Sequence, residues 1–110
     1  MNTKHSLPPD DTSDTIQERR EQFEADVIER LNRLEHKYIL YDAQIRALPG
    51  EVQVRFLERR EVLNFRLTYA GETFARSKAM DRDEWLLHWQ NVQTTLLEAE
   101  EAFSRIRLRG

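Results

Sequence analysis

Trp85, Trp89, Val92, Leu96, Ala99, Phe103 and Ile106 recur at steps of four, three, four, three, four and three. A helix turns about once in 3.6 residues, so this alternation places all seven side chains on one helical face. The run contains both tryptophans of the chain, and a stripe this bulky must be covered. Its period fits a helix packed on other helices and leaves no room for a strand.

Two further segments carry the same period. Phe23, Val27, Leu31, Leu34, Tyr38, Tyr41, Ile45 and Leu48 form a seam whose spacing tightens to alternating threes and fours toward its end. Val52, Phe56, Leu63, Leu67, Ala70 and Phe74 form another. The middle segment has a second apolar set, Val54, Val62, Phe65 and Tyr69, lying roughly 160–280° around the helix from the first. A helix apolar on two faces is either central in its own domain or shared with another chain. Gly71 interrupts this helix, and a close helix crossing there is one reason to keep a glycine.

Punctuation sets the expected bounds. Thr15 with Glu18, and Asp81 with Glu84, have the spacing of capping boxes, in which each side chain satisfies an amide left free at a helix start. Pro49-Gly50 ends the first helix, because proline lacks a donor and restrains the residue before it. Helices are therefore predicted over about 15–48, 51–78 and 82–108, following a disordered N-terminal tail over 1–13 that contains Pro8-Pro9. The mostly polar stretch Ile16–Gln22 is expected to fray or project from the body. Short breaks make neighbouring helices antiparallel, so the expected fold is all-α: three long helices in one coiled-coil-like bundle over 14–110.

Charge is segregated along the chain. Residues 1–29 hold three basic and eight acidic side chains, whereas 30–82 hold eleven basic and seven acidic. Residues 83–102 have five acidic and no basic side chains. Acid precedes base by four in Asp26–Arg30, Glu29–Arg33 and Asp42–Arg46, the favourable order on a helix surface. The chain has no cysteine, which removes disulfides, thiolate nucleophiles and thiolate metal sites. Residues 1–15 lack the apolar run of a signal peptide, and no stretch reaches the ~20 apolar residues of a membrane span. A cytoplasmic protein is the expectation.

Motifs for chemistry are missing. No Glu-x-x-His or His-Glu-x-x-His surrounds His5, His36 or His88, so neither a di-metal bundle nor a helical zinc site is indicated. Ser77 and Ser104 lack a nucleophile-elbow context, and Gly50, Gly71 and Gly110 are too scattered to cradle phosphate. The sequence points to a protein that is not an enzyme and uses no cofactor or metal.

Three kinds of surface remain. A lipid-surface helix would carry lysine and arginine opposite its apolar face, but the polar face of the third helix is acidic, so no membrane is expected. Arg55, Arg59, Arg60 and Arg66, with Arg76, Lys78 and Arg82, offer an alternative as a nucleic-acid-associated accessory protein. Against it stand the interleaved Glu58 and Glu61, the sequence pI of about 5.6 and the absence of a recognition-helix arrangement. The favoured expectation is protein–protein interaction, because three helices sharing one core leave Val62, Phe65, Tyr69, Leu86, Leu87 and Leu97 in surplus. The simplest partner is a second copy of the chain, giving a homodimer. An adaptor that seats an amphipathic helix of another protein uses the same physics.

Overall fold

The computed structural model describes residues 12–106, and side chains from Thr15 onward. Three helices follow in order: α1 (Thr12–Arg46), α2 (Gly50–Lys78) and α3 (Arg82–Ser104). They pack as an all-α three-helix bundle, with no strand among the described residues. The body is long and thin, 68 × 28 × 18 Å. Much of its length comes from α1, whose 35 residues span about 52 Å.

The bounds correct the sequence reading most at the start of α1 and the end of α3, while α1 also stops at Arg46 rather than 48 and α2 begins at Gly50 rather than 51. α1 begins by Thr12, so Thr15 and Glu18 lie inside the helix and form no capping box at its start. Residues 1–11 of the expected tail lie outside the described residues, and 12–13 are helical. α3 stops at Ser104 rather than near 108, with the amides of Arg105 and Ile106 turning back to Ala102 and Phe103. The Asp81 capping box is present. The Glu84 amide donates to Asp81 Oδ1 at 2.9 Å, and the Asp81 amide donates to Glu84 Oε1 at 3.2 Å.

The core is built from the three predicted stripes. Val27, Leu34, Tyr41 and Ile45 of α1 meet Leu63, Ala70 and Phe74 of α2 and Val92, Leu96, Ala99 and Phe103 of α3. Trp85 is also buried, and Trp89 and Ile106 are partly so, which puts the whole seven-residue stripe of α3 on the inside. The Phe23 ring meets Trp85 and Trp89 edge-on, with centroids 6.0 and 5.5 Å away. Such edge-to-face pairs add ~0.5–1.5 kcal/mol beyond the area they bury. Within this interior the Tyr41 hydroxyl and the Trp85 indole N–H have no hydrogen-bond partner among the described residues.

Ile16–Gln22 does not project as expected, because Arg20 fastens it. The Arg20 guanidinium donates to the carbonyls of Ser77, Lys78 and Met80 at 3.1, 3.3 and 3.0 Å. It also pairs with Glu24 and lies 5.5 Å from the Trp85 ring centroid. One side chain of α1 thus binds carbonyls at the end of α2 and in the turn after it, of which that of Ser77 also accepts from the Met80 amide, and stacks on the first turn of α3. Farther along, Arg30 grips Glu100 of α3 in a two-pronged pair at 2.8 and 2.6 Å while also holding Asp26 and Gln93. Arg60 of α2 donates to Asp42 of α1 at 2.9 Å. Gly71 makes no close crossing: a Cβ built there meets nothing within 4 Å, and its φ is negative.

Candidate protein-interaction surface

The second apolar set of α2 lies on the outside of the bundle. Phe65 is 63% exposed, Val62 and Tyr69 are nearly half exposed, and Val54 joins them farther along. The two rings are held as one slab, with Phe65 and Tyr69 stacked 6.0 Å apart and their planes 2° from parallel. The period forces this arrangement. Once Leu63, Ala70 and Phe74 point inward, residues one position before or two positions after them on the winding must point out.

The six expected interface residues are all exposed, but they do not form one patch. Val62 borders a groove between α2 and α3 together with Leu63, Ala102 and Ile106. Tyr69 borders a separate cleft between the same two helices, with Thr73, His88, Asn91 and Thr95. Leu86 instead lines a crevice of about 280 Å³ on the α1 side of α3, beside Ile16, Phe23, Trp85 and Trp89. Leu97 follows Leu86 by eleven residues, three helical turns, and so shares its side. Leu87 lines none of these clefts and is 79% exposed. The flanks are therefore two surfaces, one centred on α2 and one between α1 and α3.

A third apolar surface escaped the sequence reading. Ile28 and Ile39 of α1 are exposed beside a groove of about 430 Å³ that Leu31, Tyr38 and Leu67 floor and Gly71 borders. Ile28 and Ile39 lie off the seam at an eleven-residue spacing, which is the signal that could have singled them out. Burial raises the Tyr38 hydroxyl above its ordinary pKa, and the Asp42 carboxylate adds to the effect.

Electrostatics divides the arginines into separate roles. Arg60 is committed to Asp42, and Arg66 reaches Glu98 of α3 at 3.4 Å. Arg76 donates to the Thr73 hydroxyl at 3.4 Å, Lys78 lies over the Phe74 ring, and Arg82 pairs with Asp83. Arg55 and Arg59 share their groove with Glu58 as well as Arg105. The strongest perturbation lies elsewhere: hydrogen bonding to Glu100 raises the Arg30 pKa further above its ordinary value despite partial burial. The reciprocal bond from Arg30 lowers the Glu100 carboxyl, against the opposing effect of burial.

Among the described residues, no three His, Asp or Glu side chains stand close enough to hold a metal ion. No helix among them is long and apolar enough to cross a membrane. No family model matches the chain, and no curated protein or solved structure matches it either.

Proposed function

We propose that this chain is a small, non-enzymatic interaction or adaptor protein of the cytoplasm, self-associating as a homodimer with the outer face of α2 at the contact. The observation that carries the reading is the preassembled Phe65–Tyr69 slab flanked by Val62, apolar and exposed on a rigid helix. Aromatic anchors held in fixed rotamers lose little entropy on docking, which is why such residues dominate interface energetics. The exposed Leu86 and Leu97 on the far side of α3 supply a second contact surface, suited to the adaptor role. The nucleic-acid alternative draws less support, since Arg60, Arg66 and Arg82 each face a carboxylate.

Sedimentation or light scattering on the purified chain tests this reading. The expected mass is twice that of the 13.2 kDa chain at micromolar concentration. Replacing Phe65 and Tyr69 together by serine should return a monomer with unchanged helicity. A monomeric mass for the unaltered chain across the whole concentration range would remove self-association. Salt-sensitive binding to duplex DNA, lost on neutralising Arg55 and Arg59, would instead favour the alternative.

A further inference from the structure

The exposed slab belongs to a longer and more regular pattern than its apolar members show. Glu58, Val62, Phe65, Tyr69, Glu72 and Arg76 follow one another at steps of four, three, four, three and four, and all six are exposed. This is a second heptad seam on α2, roughly 150° around the helix from the core stripe. A seam of alternating threes and fours is the pattern by which two helices pack side by side at a shallow angle.

Its charges discriminate between the ways a second copy could pair with it. In a parallel pair, equivalent positions face one another, which would set Glu58 against Glu58, Glu72 against Glu72 and Arg76 against Arg76. Like charges opposed at a contact cost affinity and suppress that arrangement. In an antiparallel pair, each position faces one at the same distance on the other side of the two-fold axis. With the axis opposite Leu67, Phe65 and Tyr69 lie two residues to either side, Val62 and Glu72 five, and Glu58 and Arg76 nine. Phe65 of each copy then stacks with Tyr69 of the other, and Glu58 of each copy meets Arg76 of the other at both ends. Val62 of each copy faces Glu72 of the other, so the matched layers are the aromatic centre and the two ends of a two-fold contact about 27 Å long.

Resting on the self-association reading above, we infer that the occupant of this face is α2 of a second copy. It lies antiparallel about an axis opposite Leu67, with paired Phe65–Tyr69 layers at the centre and Glu58–Arg76 ion pairs at the two ends. Val62 and Tyr69 each border a different cleft toward α3, so the second copy also covers a margin of both. Among the described residues Arg76 holds Thr73 by a long, exposed bond, and it can turn outward without breaking the fold.

Charge reversal on the full chain tests the register separately from the self-association. Glu58→Arg and Arg76→Glu should each weaken the dimer by about tenfold or more, since each puts like charges at both ends. The double variant carrying both changes should recover the original dissociation constant within about threefold. An equimolar mixture of the two single variants should form a heterodimer, because every end pair is again opposite in sign. Circular dichroism should show the same helicity for all of them. If Phe65→Ser dissociates the dimer while both charge reversals leave it intact, the register is wrong and self-association through α2 stands. A double variant no tighter than either single one overturns the register in the same way. A chain monomeric at all concentrations overturns both readings together.

Discussion

α2 carries two stripes of similar spacing, and the bundle treats them in opposite ways. Leu63, Ala70 and Phe74 are buried, whereas Val62, Phe65 and Tyr69 remain open on the other side. Apolar content does not separate the sets, since the outer one includes a phenylalanine and a tyrosine. The ends of each stripe do. The inner stripe is extended by Val52 and Phe56, and the outer one by Glu58, Glu72 and Arg76. A permanently dry interface tolerates little charge, while a contact made between folded units can end in exposed ion pairs. The outer seam thus has the aromatic centre and charged ends that the proposed contact needs, whereas the inner one ends in apolar residues, as a core does.

The sharpest way to break the comparison is to truncate one residue from each stripe. Leu63→Ala should destabilise the chain by about 2–5 kcal/mol, because the cavity it leaves has little freedom to collapse. Phe65→Ser should change stability by no more than about 0.5 kcal/mol when measured by denaturant at concentrations too low for association. Equal losses would mean that the outer stripe is part of the core.

An intermediate effect is expected where polar groups close a seam. Arg30–Glu100, between α1 and α3, is two-pronged, and its arginine side chain is only 14% exposed. Arg66–Glu98, between α2 and α3, is a single 3.4 Å contact with both side chains largely in water. Glu100→Gln should cost about 1–3 kcal/mol, and Glu98→Gln less than about 0.5 kcal/mol. The Glu100 carboxyl is held below its ordinary pKa, so its contribution is complete above the unfolded value near ~4.3. That contribution is lost as pH falls through the lower folded value. A urea series from pH 6 to pH 3 should therefore show a shallower acid decline for Glu100→Gln than for the unaltered chain.

The smallest effect is a gain. Gly71 borders the open groove between α1 and α2 with nothing within 4 Å of an added Cβ. Gly71→Ala should raise stability by about 0.5–1 kcal/mol, visible as a melting temperature a few degrees higher. A loss would show that the groove closes on the glycine in solution.

The three core stripes, the Pro49-Gly50 break, the Asp81 cap and the pairs Asp26–Arg30, Glu29–Arg33 and Asp42–Arg46 were all legible in the sequence. Each depends on residues within about one or two helical turns, where the chain's own geometry decides what can touch. The spacing of Val62, Phe65 and Tyr69 likewise required a second apolar face. Arg20 shows where that kind of reading stops. In the sequence it sits in a polar stretch, and its carbonyl partners lie 57 to 60 residues away. The same is true of Glu100, which takes Arg30 as its partner only because α1 and α3 lie side by side. The separation of Leu86 and Leu97 from Phe65 also came only with the bundle, since helical phase orders residues within one helix but not between helices. Local periodicity thus determined that the chain is three packed helices with apolar surface to spare. Tertiary packing decided where that surface lies and which charges close the seams, because both depend on how separate helices are rotated against one another.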